Sequence, residues 1–147
     1  MDYEELDSQV SKALNLSPGC LFVLADGVGG KLFEFVYPKK LRGNMIPVNT
    51  NSILGRAVIS RRSYITNNLK KEKNLVALNF LIGMGLEPAQ KVLTFPIEFG
   101  GKIIAVLELV RRGDNLTEAP DFGEEDITRL KQVISKFFSL RVADGMG

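Results

Sequence analysis

The chain contains no histidine. That excludes Ser-His-Asp and Cys-His catalysis, histidine-ligated haem and any zinc site built on imidazole. Cysteine occurs once, at Cys20, so there is no internal disulfide and no Cys-x-x-Cys pair. Tryptophan is absent. An excess of one charge is also missing: 19 basic residues face 17 acidic ones, a net +2. The strongly basic surface of a nucleic-acid-binding domain is therefore not available, and no direct nucleic acid partner is expected. No apolar stretch approaches the roughly 20 residues of a membrane span. The longest, Ile103 to Val110, is interrupted by Glu108. The opening Met1-Asp2-Tyr3-Glu4-Glu5 is acidic, unlike the basic start of a signal peptide. These features point to a cytoplasmic protein without a membrane partner.

What is present suits one globular domain over residues 1–147, with 45% hydrophobic and 24% charged residues. Tyr3, Leu6, Val10, Ala13 and Leu14 recur at helical spacing, predicting a helix over about 2–16 capped by Asp2. Ser17-Pro18-Gly19 ends it. Cys20–Ala25 and Lys31–Tyr37 read as a hairpin around the glycine-rich Asp26–Gly30, with Phe33, Phe35 and Tyr37 on one face. Met45–Val48 is a short edge strand interrupted by Pro47. Residues 49–52 offer N-caps for a helix over Ile53–Ser60, followed by extended Tyr64–Thr66.

The later chain continues the pattern. Asn74–Met84 is apolar enough for a helix. Val92–Phe99 and Lys102–Val110 form a second hairpin around Gly100-Gly101. Both strands are apolar on two faces, so both faces of the sheet must be covered. Residues 112–120 read as a polar loop. Ile127, Leu130, Val133, Ile134 and Phe137 stripe a final helix over about 123–142, and 143–147 read as a frayed tail. The order defines an α+β domain with an antiparallel sheet between helical layers.

Few motifs carry chemistry. Gly27–Lys31 fails the phosphate-loop pattern, because Ala25 stands where its first glycine is required. The basic runs at Lys39–Arg42 and Lys70–Lys73 read as solvated loops, with an anionic ligand or partner as the alternative. Cys20 is a buried inert thiol, or a covalent attachment site or nucleophile. Glu108 is the one charge within an apolar strand. Its face is partly wet, or a buried partner such as an arginine satisfies it, or it reaches a ligand. Thr66, Asn67, Asn68, Asn79 and Thr94 are neutral hydrogen-bonding groups near apolar segments. Small-molecule pockets use such groups, and so do loops and caps.

Four segments carry a resemblance. Ser52–Val58 with Ser63–Asn68 resembles the "G-I-A-G-x-V … P-V-x-I-x-D" segment of GAF domains. Val92–Ile97 is similar to their "S-x-L-x-V-P-L" strand, Gly101–Val110 to "G-x-V-I-G-V-L-x-L-x-N", and Phe122–Leu130 to "F-T-x-E-D-x-x-L-L". All four occur in the family's order. The resemblance implies a central antiparallel sheet with the terminal helices on one face and a ligand pocket under the other. It implies a sensory or regulatory module, not an enzyme, from a bacterial signalling or transcription-control protein. A small ligand would bind to Phe33, Phe35, Ile65, Thr66, Asn67, Asn68, Thr94, Pro96 and Glu108. The terminal helices, through Tyr3, Leu6, Val10, Ile127, Leu130, Ile134 and Phe137, would pair in a homodimer and signal to an output domain. The alternative is a ligand-free dimerisation module, with the pocket plugged by Leu78, Phe80, Leu81 and Met84.

Departures from the family pattern narrow the ligand without naming it. The phosphodiesterase members' asparagine-lysine-x-phenylalanine-aspartate-glutamate motif is missing, which puts cyclic nucleotides in doubt. Cys20 lies on the first strand, away from the chromophore segment, which disfavours a bilin. Members that reduce free methionine sulfoxide need several cysteines. Asn68 stands where many members carry aspartate.

Overall fold

In a computed structural model of the chain, six strands among the described residues make one antiparallel sheet: β1 (Leu21–Val28), β2 (Leu32–Tyr37), β3 (Met45–Pro47), β4 (Tyr64–Thr66), β5 (Ala89–Phe99) and β6 (Lys102–Arg112). Their order across the sheet is β3-β2-β1-β6-β5-β4. Among the described residues three α-helices accompany them: α1 (Tyr3–Leu14), α2 (Ile53–Ser60) and α3 (Glu124–Ala143). The fold is α+β. The structure describes residues 2–16, 21–28, 32–48, 52–71, 89–112 and 120–143. The expected helix over Asn74–Met84 and its proposed plugging side chains lie outside them, as does Cys20. Two compact units are present, one of Met1–Pro18 with Gly123–Gly147 and one of Gly19–Phe122.

In the first unit α1 and α3 pack together. Asp2 caps α1 by accepting from the Glu5 N–H at 3.0 Å, and Glu4 and Glu5 favour the positive end of the helix dipole. Gly123 has no side chain with which to cap α3. Asp126 compensates from inside the first turn, its Oδ2 accepting from the Gly123 N–H at 2.9 Å. The apolar stripes meet in a core of Leu6, Val10, Leu14, Leu130, Ile134 and Phe137, all buried. Five of the residues expected to form a dimer seam are thus interior to a single chain. Tyr3 and Ile127 remain half-buried.

In the second unit the β5–β6 hairpin turns on Gly100 and Gly101, with φ of 61° and 79°. Two successive positive φ values match the twist of a two-residue hairpin, and glycine adopts them without a Cβ penalty. α2 begins at Ser52, whose hydroxyl accepts from the Gly55 N–H at 2.9 Å. It ends at Arg61, which reaches the hairpin: Nε donates to Glu98 Oε1 at 3.0 Å and Nη2 to the Gly101 carbonyl at 2.7 Å. Ile53, Leu54 and Leu41 join Phe33, Phe35, Val92, Val106 and Val110 in one apolar cluster. Leu41 sits in a short 3-10 turn, Lys39–Leu41, inside what reads in sequence as a plain basic connection.

Three boundaries of the long strands differ from the sequence reading. The first hairpin strand runs through Asp26, Gly27 and Val28 rather than stopping at Ala25. β5 starts three residues before Val92, and β6 ends two after Val110. The added residues include Gln90, Lys91 and Arg111, which are polar yet buried. Their polarity marks an end in the sequence pattern; in the structure Lys91 pairs with Asp121, Arg111 donates to the Pro120 carbonyl through its Nη1 while its Nε has no partner among the described residues, and the strands continue.

Candidate functional site

Strand register sets three rows of residues across the face of the sheet that packs with α2. In the first, Phe35 opposes Ala25, Ala25 opposes Val106 and Val106 opposes Pro96. The second runs Val23, Glu108, Thr94 and Tyr64; the third runs Leu21, Val110, Val92 and Thr66. Directly opposed residues share a face, as do residues two apart along a strand. The expected site residues Phe35, Thr66, Thr94, Pro96 and Glu108 therefore lie in three adjacent rows. Phe33, two residues from Phe35, packs in the same cluster.

At the centre is a polar pair in apolar surroundings. Thr94 is fully buried and its hydroxyl donates to Glu108 Oε1 at 3.2 Å. Glu108 is 3% exposed, and its Oε2 has no hydrogen-bond partner among the described residues. Removal from water penalises the charged form and lifts the carboxyl from 4.5 to about 7, against a smaller opposing pull from the Thr94 hydrogen bond. Of the three readings of Glu108, the wet face is excluded by its burial. Thr94 is a partner, though for only one of its two oxygens. Near neutral pH such a carboxyl is poised between accepting and donating, a useful property for recognising a polar group.

Other expected site residues fall elsewhere. Ile65 opposes Leu93 and not Thr94, so strand alternation turns it to the opposite face. Asn67 is engaged at both ends: Nδ2 donates to the Phe122 carbonyl at 3.0 Å and Oδ1 accepts from the Phe122 N–H at 2.8 Å. It behaves as a strand-like backbone partner for Phe122. Asn68 is half-buried, and its N–H donates to Thr66 Oγ1 at 3.3 Å.

The sequence reading did not identify Lys91, Arg111 and the segment they hold. Lys91 Nζ donates to Asp121 Oδ1 at 2.7 Å. The Arg111 guanidinium donates to the Pro120 carbonyl and lies 4.3 Å from the centroid of the Phe122 ring. With Asn67, these side chains fasten Pro120–Phe122, immediately ahead of α3. Each neighbours a residue of the third row: Asn67 follows Thr66, Lys91 precedes Val92 and Arg111 follows Val110. The usable signal was two cations flanking apolar strands at opposed positions, since Lys91 and Arg111 pair in register. Among the described residues no group of three or more cysteine, aspartate or glutamate side chains is placed to hold a metal.

The GAF domain family matches the chain over residues 5–136, and the chain belongs to that family. The same fold occurs in the GAF domain of a two-component sensor histidine kinase from Bacillus halodurans, at 17% identity and TM-score 0.63, covering 91% of this chain and 89% of that one. A GAF domain/HD domain protein from Geobacter sulfurreducens is similar at 14% identity and TM-score 0.64, with 92% and 88% covered. A type II free methionine-R-sulfoxide reductase from Thermoplasma acidophilum is similar at 16% identity and TM-score 0.56, with 89% and 88% covered. No curated protein matches the chain.

Proposed function

We propose that this GAF domain is a sensory or regulatory module that binds a small molecule on the α2 face of the sheet, around Thr94 and Glu108. The observation that carries the reading is Glu108 Oε2, a buried polar atom without a partner among the described residues. Leaving such an atom unsatisfied costs on the order of 1–3 kcal/mol, which a bound donor recovers. Phe33, Phe35, Thr66, Pro96, Thr94 and Glu108 supply the apolar wall and few polar groups that small-molecule sites use.

The module is regulatory and not catalytic. A carboxyl near 7 beside a hydroxyl has the ingredients of a base and a nucleophile. The carboxyl, however, has no orienting partner at Oε2 among the described residues. A triad-like site needs such a third group. The family resemblance implies that members reducing free methionine sulfoxide need several cysteines, and this chain has one.

The signal leaves through the segment ahead of α3. A ligand that displaces Val92, Val110 or Thr66 moves Lys91, Arg111 and Asn67 with them, and these hold Pro120–Phe122. A ligand works in this way only if it binds the two arrangements with different affinity. The partners are a second copy of the chain, meeting through helix surface that includes Tyr3 and Ile127, and an output domain in a bacterial signalling or transcription-control protein in the cytoplasm. No described helix is long and apolar enough to cross a membrane.

Native mass spectrometry of freshly purified protein tests the reading. A retained mass that is lost on denaturation, and absent from a Glu108→Leu variant, is expected. A bare protein whose stability responds to no small molecule in a broad thermal-shift screen overturns it in favour of a ligand-free interaction module.

A further inference from the structure

Resting on the ligand site proposed above, the inference concerns what that ligand must carry. We infer that it is a small cationic nitrogen base, an amine, amidine or guanidine, whose N–H group docks on Glu108 Oε2 beside the Thr94 hydroxyl.

Three observations lead there. First, Glu108 is the only charged residue in the three rows that cross this face; the others are apolar, or carry the hydroxyls of Thr94, Thr66 and Tyr64. A carboxylate or phosphate ligand would face Glu108 with no cation in the rows to offset it, and like charges in such surroundings repel strongly. Second, one carboxyl oxygen is already taken by the Thr94 donor, while the other has no partner among the described residues. The arrangement holds the carboxyl by one edge and presents the remaining oxygen as an acceptor. Third, among the described residues no cation contributes to the environment of this carboxyl, which burial and the Thr94 hydroxyl set. A positive charge carried by the ligand would satisfy it. A hydrogen bond between two charged groups is also about twice as strong as a neutral one, so a cation outcompetes a neutral donor of the same shape.

Benzamidine, benzamide and benzoate have nearly the same shape and differ in charge, so they separate the possibilities. Each is titrated into the full 147-residue chain, with binding read from shifts in the NMR signals of the Thr94 methyl and the Thr94 and Glu108 amides. Benzamidine is expected to bind at least tenfold more tightly than benzoate, with benzamide between them. Glu108→Gln, which keeps the side-chain size, should lower benzamidine affinity at least tenfold and leave benzamide nearly unchanged. Thr94→Val should weaken benzamidine as well, giving a second test if the Gln variant folds poorly. Benzoate binding at these signals as tightly as benzamidine overturns the inference while leaving the ligand site in place. Benzamidine binding unchanged in Glu108→Gln overturns it equally. If none of the three probes moves these signals, the inference is overturned, while the ligand site stands or falls separately with the broad thermal-shift screen.

Discussion

Thr94 and Glu108 face one another at directly opposed positions of β5 and β6, and the Thr94 hydroxyl donates to Glu108 Oε1 at 3.2 Å. The pair is buried among apolar neighbours, so its charge state bears on stability.

The first consequence is a pH dependence. The Glu108 carboxyl titrates near 7 when folded, against 4.5 as its ordinary value. Below about 4.5 both folded and unfolded chains hold the proton, and the group's contribution is fully favourable. As pH rises from there to about 7 the unfolded chain releases its proton first, so stability falls; above 7 the loss is complete. The full difference is roughly 3 kcal/mol at 1.36 kcal/mol per pH unit. Glu108→Gln removes this slope. Urea unfolding should show the variant up to about 3 kcal/mol more stable than the natural chain at pH 8, and nearly equal to it at pH 4.

Removing the hydroxyl acts in the opposite direction. Thr94→Val deprives the carboxyl of its hydroxyl donor and should cost about 1–2 kcal/mol, more at pH 8 than at pH 4, because the bond favours the charged form. In a Glu108→Gln background the cost should shrink. A double-mutant cycle measures the coupling, and additive effects would mean the two groups do not interact.

The fastening of Pro120–Phe122 has its own signature. Asn67→Ala leaves the Phe122 N–H and carbonyl without their partner and should cost about 1–3 kcal/mol. Hydrogen exchange at the Phe122 amide should accelerate more than exchange in β1. Arg111→Lys keeps the charge but loses the flat guanidinium over the Phe122 ring, for about 1 kcal/mol. Unchanged exchange at Phe122 in both variants would show that these side chains do not hold the segment.

Within the helical unit, packing and pairing separate. Leu130 is fully buried, and Leu130→Ala should cost about 2–5 kcal/mol in unfolding experiments. Ile127 is half-buried. Ile127→Asp should leave most of the stability and convert a dimer to a monomer in light scattering. A natural chain that is already monomeric would remove the terminal helices from the pairing role.

Much of this architecture was legible in the sequence because local signals agreed. Ile53–Ser60 and Tyr64–Thr66 appear at the bounds read from capping and β-branched residues. The two-faced apolar strands announced a sheet covered on both sides. Every residue from Gln90 to Ile97 and from Ala105 to Arg111 is indeed buried. What misled was polarity with a distant partner. Lys91 and Arg111 read as strand ends, because the groups that satisfy them, Asp121 and Pro120, lie 30 and 9 residues away. Asn67 read as a pocket residue for the same reason: its partner Phe122 is 55 residues distant in sequence. Ile65 and Thr66 both fall in the segment that carries the family resemblance, whereas alternation along β4 turns them to opposite faces.

The titration of the Glu108 carboxyl carbon, followed by NMR in the intact chain, tests the central claim most directly. A buried carboxyl held at one oxygen titrates near pH 7, and a bound cationic base lowers that midpoint by stabilising the charged form. A midpoint near the ordinary 4.5, unmoved by any such base, would contradict the account, because Glu108 would then be solvated or already paired within the protein.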